Sequence, residues 1–177
     1  MPFDFQPTLH GQLLDVRPLR AEDHDAMGAA ASDPLIWEQH PDKTRCTPEG
    51  FRAFFEQSLA SGGALLVTRA GSGEVIGSSR YHAYVPEARE VEIGWTFLVR
   101  ACWGGAYNTE LKRLMIEHAF RFVDRVMFLV GPTNFRSQHA VLKLGAVLEG
   151  ERVNGAGRPS LAYCLTPERW AARGATA

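Results

Sequence analysis

The sequence predicts a mixed α/β domain, and three observations predict it. A chain of 177 residues is the size of one domain, so residues 1–177 are read as a single unit. Its apolar pattern switches repeatedly between the 3.6-residue period of helices and the two-residue period of strands. The switches run β-α-α, then consecutive strands, then β-α-β-α-β-β, which is not the strict alternation of a doubly wound dinucleotide fold. A hydrophobic fraction of 45% and a charged fraction of 22% are those of a globular chain rather than a disordered one. About 70% of the extended chain's surface would be buried on folding, enough for a core without staples.

The elements follow in order. Residues 13–19 read as a strand ending at Pro18, and residues 21–27 as a helix with Glu22, Asp23 and Asp25 near its N-terminus, where the macrodipole favours them. Residues 37–46 are polar and irregular. Thr47 and Pro48 suit the cap and first position of a second helix, whose apolar row is Phe51, Phe54, Phe55 and Leu59. Gly62-Gly63 ends it. Residues 64–69 and 74–84 read as strands joined by the hairpin turn 70–73. Residues 90–99 form another strand, with Val91, Ile93 and Trp95 expected on one side and Glu90, Glu92 and Gly94 on the other.

Residues 107–124 make the strongest helical pattern. Leu111, Leu114, Met115, His118, Ala119, Phe122 and Val123 form its apolar stripe, opposite Lys112, Arg113, Glu117 and Arg121. A short apolar strand (126–130), a helix (135–144) and two closing strands (146–153 and 160–165) complete the chain.

Charge and composition exclude several classes of function. A net charge of −1 gives no basic field for nucleic acid or an anionic membrane. The three cysteines (Cys46, Cys102 and Cys164) form neither a metal-ligand spacing nor a disulfide framework, which fits a reducing cytoplasm, and no metal is expected. Met1-Pro2-Phe3-Asp4-Phe5 lacks a signal peptide's basic and apolar regions, and no apolar run reaches the roughly 18 residues of a membrane span.

Three segments can carry chemistry. In the first, Trp103-Gly104-Gly105-Ala106-Tyr107-Asn108 joins a strand to the long helix. Its small residues admit a ligand close to the backbone, and the helix start supplies unpaired N–H groups, a combination suited to phosphate or pyrophosphate. It has neither the Lys-Ser/Thr of a P-loop nor G-x-G-x-x-G. A tight turn with no ligand explains it equally well. The second is the strand Glu90-Val91-Glu92-Ile93-Gly94-Trp95, with two carboxylates on one face and a glycine that marks a bulge or a close approach. A solvated acidic face is the plainer reading. The third, Gly131-Pro132-Thr133-Asn134-Phe135-Arg136-Ser137, opens a helix at which Asn134 is first of all a cap.

Together and in this order, the three segments resemble the GNAT superfamily of acyl-CoA-dependent N-acyltransferases. The similarity runs over about residues 9–166 and is strongest to the RimJ/RimL-like branch, which acetylates ribosomal-protein N-termini. The branch pattern W-G-x-G-Y-[AN] is met by Trp103-Gly104-Gly105-Ala106-Tyr107-Asn108, with Ala106 replacing a glycine. The pattern N-x-x-S-x-x-x-x-x-K-x-G is met by Asn134, Ser137, Lys143 and Gly145, and the E-I-G-[YW] strand contains Glu92.

The resemblance implies a mixed, mostly antiparallel sheet with one splayed strand pair and flanking helices. Acetyl-CoA would be the cosubstrate, its pyrophosphate over residues 104–108 and its pantetheine between the Glu92 strand and the 126–130 strand. A backbone N–H near Trp95, Thr96 and Phe97 would polarise the thioester. Asn134 would bond the pantetheine or a substrate-linked water, and Ser137 would protonate the leaving thiolate or orient the thioester, since Val141 stands where many relatives have a tyrosine. Trp103 and Lys143 complete the cofactor set.

Glu92 would accept the amine's proton, with Glu90 raising its pKa by like-charge repulsion. The acceptor, a small-molecule or peptide primary amine, would lie among Trp37, Glu38, His40, Arg45, Tyr81 and His82. Deprotonating a lysine ε-amine at pH 7 costs about 4.6 kcal/mol and an α-amine about 1 kcal/mol, which favours the α-amine. A non-catalytic acyl-CoA-binding module and an enzyme using a longer or acidic acyl group are the alternatives, and a homodimer is left open.

Overall fold

The computed structural model describes residues 2–174. Its strands are β1 (Leu9–His10), β2 (Leu14–Pro18), β3 (Ala64–Arg69), β4 (Val75–Val85), β5 (Glu90–Leu98), β6 (Arg125–Val130), β7 (Val147–Val153) and β8 (Pro159–Leu165). They form one sheet in the order β1-β2-β3-β4-β5-β6-β8-β7. Every neighbouring pair is antiparallel except β5–β6. The helices are α1 (His24–Ala31), α2 (Pro48–Ala60), α3 (Ala106–Ala119), α4 (Phe135–Lys143) and α5 (Pro167–Gly174). A parallel pair needs a crossover, and α3 is that crossover.

The mixed, mostly antiparallel sheet expected from the resemblance is therefore present. Among the described residues no helix is long and apolar enough to cross a membrane, and no cluster of three or more metal-ligating side chains occurs.

Period-two alternation divides the core between the two faces of the sheet. Leu65, Val67, Tyr81, Val91 and Ile93 pack beneath α3 and α4 with Leu111, Met115, Ile116 and Val141. Ala64, Leu66 and Phe97 face the other way, against α1 and α2, where Met27, Trp37, Phe51, Phe54 and Phe55 form a second cluster. The start of α2 follows from its sequence: Thr47 accepts a hydrogen bond from Gly50 N at 3.2 Å, and Pro48 occupies the first turn.

Several boundaries depart from the sequence reading. The first helix begins as a 3₁₀ turn (Ala21–Asp23) before α1, and the irregular stretch holds 3₁₀ turns at Pro34–Trp37 and Lys43–Cys46, capped by Asp33 and Asp42. β1 and α5 have no counterpart in that reading; a two-residue strand is too short to show a period, and α5 carries Trp170 as its one large apolar residue. α3 ends at Ala119 although its apolar spacing continues to Val123. The chain turns there because Asp124 N and Arg125 N donate to Arg89 O, which brings β6 alongside β5.

Candidate active site

The parallel pair is short. Glu90, Val91 and Glu92 pair with Arg125, Val126 and Met127, and no β5–β6 pairing continues beyond Glu92. β5 runs on to Leu98 beside β4 while β6 runs on to Val130 beside β8, so the two strands separate into a wedge. From Ile93 onward β5 therefore has no strand partner on the side facing β6.

The other edge of β5 carries a register shift opposite Ser78–Arg80, and Trp95 adopts φ +49°, a left-handed conformation that a bulky residue rarely takes. This irregularity corrects the expected placement of Trp95. Instead of joining Val91 and Ile93, Trp95 packs with Phe97 toward α2, and Thr96 meets α3.

A cavity of about 740 Å³ fills the wedge and extends from α4 to the β7–β8 turn. At its α3 end, Gly104 (φ +96°) and Gly105 (φ +134°) form the turn, and an added Cβ at either would meet open space. Only the backbone conformation demands glycine there. No side chain caps α3, and the first helical bond runs from Thr109 N to Gly105 O at 2.9 Å, so the preceding amides of Ala106, Tyr107 and Asn108 are available to a ligand. Ala106 is an ordinary helical residue, because both positive φ angles fall on the glycines before it. The cradle therefore fits a pyrophosphate.

Trp103 lines the cavity with its Nε1 donating to Leu98 O at 2.9 Å, and the Arg136 guanidinium lies 4.1 Å from its ring centroid. Asn108 also lines the cavity. The Tyr107 hydroxyl instead accepts from Arg69, outside the cavity lining, so this residue offers the site its main chain only.

Glu92 stands where the wedge opens. It is 5% exposed, and burial is the largest influence raising its carboxyl to about 7, against the opposing charges of Arg80 and Arg152. Gly94 leaves room for it: a Cβ there would sit 3.1 Å from Glu92 Oε1. Glu90 raises it too, in the direction expected, but burial contributes more. The Glu90 carboxylate is itself held by Arg152 (2.5 Å) and Arg125 (3.3 Å).

Lys112, expected on the polar side of α3, is instead buried in the wedge. Its Nζ donates to Thr96 Oγ1 at 2.6 Å, which in turn bonds Ser79 Oγ at 2.7 Å, and burial lowers the ammonium to about 7. A signal for this is present in the sequence, since Lys112 lies one helical turn beyond Asn108 and so shares its row.

On α4, Ser137 and Asn134 line the cavity, and Asn134 Oδ1 caps the helix by accepting from Ser137 N at 3.2 Å. Val141 lines it as a buried apolar side chain. Lys143 is exposed on the last turn of α4 and does not reach the cavity.

The acceptor candidates divide. Trp37, His40 and Arg45 line the cavity. Trp37 is anchored by Nε1 donating to Ala31 O at 2.8 Å, and His40 Nδ1 accepts from Asp42 N at 2.9 Å. Burial first, and the Arg45 charge second, lower the His40 imidazole to about 4. His82 lines a smaller adjoining pocket with Glu90 and Glu92, its ring 4.9 Å from that of Trp95.

Tyr81 is a correction. Successive strand residues point to opposite faces, so with His82 on the site face Tyr81 lies in the core. It is fully buried against Phe3 and His118, and its hydroxyl donates to Met115 O at 2.7 Å. Glu38 is exposed and outside the lining. The sequence reading misses the β7–β8 turn, which brings Asn154 and Arg158 to the cavity from more than 60 residues beyond Glu92. Only the path of the sheet places it there.

Comparison with known proteins agrees with this geometry. Residues 14–147 match the model of an acetyltransferase (GNAT) domain. No curated protein matches the chain. Among solved structures, a protein from T. thermophilus assigned as an acetyltransferase is 30% identical, with a TM-score of 0.77 and coverage of 98% of this chain and 96% of that one. A GCN5-related N-acetyltransferase from Brucella melitensis aligns at a TM-score of 0.84 and 19% identity over 97% of this chain and 84% of its own. RimJ from Mycobacterium smegmatis, in complex with CoA-disulfide, aligns at 0.65 and 20% identity over 96% and 94%. The matched domain model spans most of the wedge, cradle and crossover helix, and the chain belongs to the GNAT acetyltransferase family.

Proposed function

We propose that this chain transfers the acetyl group of acetyl-CoA to a primary amine by direct attack, in the manner of the RimJ/RimL-like branch. The observation that carries the reading is a buried carboxyl, Glu92, where β5 and β6 part, in a wedge whose other end meets the uncapped amides at the start of α3. When bound, acetyl-CoA supplies an acyl thioester. The remaining work belongs to this chain.

The amides at 104–108 hold the pyrophosphate, and the unpaired edge of β5 bonds the pantetheine as a neighbouring strand would. A main-chain N–H near Trp95–Phe97 donates to the acyl oxygen as negative charge develops there. Glu92 takes the proton of the incoming ammonium. A carboxyl near 7 is far better matched to that task than an ordinary one near 4.3, and an α-amine is the acceptor it can most easily deprotonate. The Ser137 hydroxyl, beside Val141 in the cavity lining, donates to the departing sulfur, and Asn134 orients the cofactor arm.

Ala106 and Val141 are the departures that favour a non-catalytic module. Ala106 loses that weight because its position is plain helix.

The test is release of CoA from acetyl-CoA across a panel of α-amines, polyamines and peptides. Release with at least one class, following the amine's concentration, is expected. Tight CoA binding with no release for any amine would overturn the reading.

A further inference from the structure

The acceptor end of the cavity gathers more positive charge than the chemistry of a simple amine calls for. Arg45, on the 3₁₀ turn before α2, lines the cavity with its guanidinium 4.3 Å from the Phe54 ring centroid and 5.5 Å from that of Trp37. Its side chain is 11% exposed, and its Nε makes no hydrogen bond; Asp42 Oδ2 stands 3.5 Å away, an ion pair only. Asp42 Oδ1 accepts from Thr44 N and Thr44 Oγ1, which leaves Oδ2 as the oxygen beside Arg45.

Arg158 comes to the same cavity from the β7–β8 turn. Its backbone is fixed there by Arg158 N donating to Asn154 Oδ1 at 3.1 Å and Asn154 N donating to Arg158 O at 2.9 Å. Its guanidinium has no ion pair among the described residues. Both arginines and the His40 imidazole line the same cavity, and both arginine charges oppose a proton on His40. Lys112 and Arg136 also line the cavity, and Arg80 stacks 4.5 Å from the ring centroid of Trp95, a lining residue. Asp42 and Glu92 are the carboxylates lining the cavity.

Holding several cations around one open cavity, with Arg45 offset by Asp42 alone and its Nε making no hydrogen bond, costs free energy that a bound anion would lower. The planar fork of an arginine matches a carboxylate. We infer that the acceptor is a primary amine that also carries a carboxylate, its amine at Glu92 and its carboxylate between Arg45 and Arg158. This deepens the acetyl-transfer reading and rests on it. A polyamine or basic peptide would place like charge against these arginines and is disfavoured.

Two sources share the required chemistry: a free amino acid and the N-terminus of a peptide with an acidic residue next in line. The experiment compares matched pairs that differ only in the carboxylate, alanine against alaninamide and Ala-Asp amide against Ala-Asn amide. Rates are expressed as kcat/KM per unprotonated amine. The carboxylate member of at least one pair is expected to lead by about tenfold or more, mainly through KM, and the leading pair identifies the source.

Arg158→Gln, on an exposed turn that should fold normally, and Arg45→Gln should each bring that ratio toward one. Neutral members reacting as well as acids would overturn the inference while leaving acetyl transfer standing. Arg158→Gln weakening CoA binding instead would also overturn it, by assigning the arginine to the cofactor. If no amine releases CoA, the enzymatic reading fails separately. Calorimetry of the same pairs on the CoA-loaded protein then decides, with equal affinity for acid and amide counting against the inference.

Discussion

The two ends of the wedge are built by different means. The end proposed for the cofactor is main chain: Gly104 and Gly105 set a turn, and uncapped amides of α3 follow within a few consecutive residues. The end proposed for the acceptor is side chain: Trp37, His40 and Arg45 come from the segment between α1 and α2, Glu92 from β5 and Arg158 from the β7–β8 turn. A backbone site tolerates changes in side chain but not in dihedral angle. A side-chain site tolerates neither a change of charge nor a shift in the elements that converge on it. On the proposed function, the first can be shared across many acceptors, and the second would decide which acceptor is used.

Glu92→Gln gives the largest expected effect and tests the junction of the two ends. It should lower kcat by about 10²-fold or more with little change in CoA affinity. In the native protein kcat should rise with pH through about 7 as Glu92 ionises, and a flat profile would remove the proton-acceptor role. The sign for stability is opposite. A carboxyl raised from 4.5 favours the folded state below 4.5, and that advantage is lost as pH rises through about 7. Glu92→Gln should therefore gain in Tm over the native protein at pH 8 relative to pH 5.

Next come substitutions that separate the ends. Gly105→Ala forces a side chain into φ +134°, a strain of about 1–3 kcal/mol, and should raise the KM for acetyl-CoA about tenfold without altering preference among acceptors. A changed acceptor ranking would break the division drawn above. Ser137→Ala should reduce turnover about tenfold with CoA affinity preserved, as measured by calorimetry beside steady-state rates.

Lys112, in the lining of the wedge, and Tyr81, in the core beneath it, give the smaller effects. Burial lowers the Lys112 ammonium from 10.5 to about 7, so the stability it forfeits at low pH returns as pH rises from about 7 to 10.5. Lys112→Met should raise Tm by a few degrees at pH 6.5, about 1 kcal/mol or more, with a smaller gain at pH 10. Thermal melts at both values check it, and a gain growing with pH would contradict the direction given for this lysine. Tyr81→Phe is the smallest change: loss of its hydrogen bond to Met115 O should cost about 1 kcal/mol in denaturant titrations and leave kcat/KM unaltered.

Legibility in the sequence follows the same division. The cradle, the Glu92 strand and the Asn134 cap are each contiguous, so their residue types and spacing announce them. Tyr81 is misplaced by a sequence reading because a neighbour along a strand is on the far face in space. Trp95 is misplaced because a left-handed residue shifts the alternation, and nothing in a non-glycine side chain marks that angle in advance. Lys112 reads as solvent-facing because charged residues usually are, and only the splay of β5 from β6 gives it a buried place to go.

The order of elements, the turn that can take a pyrophosphate and the carboxylate of β5 are written along the chain, because each depends on local dihedral preference and short-range periodicity. Where β5 leaves β6, how far Glu92 is removed from water, and the meeting of Arg45 and Arg158 in one cavity were settled only on folding. Those are matters of register and burial, set by residues far apart along the chain and brought together only when the sheet closes over its core.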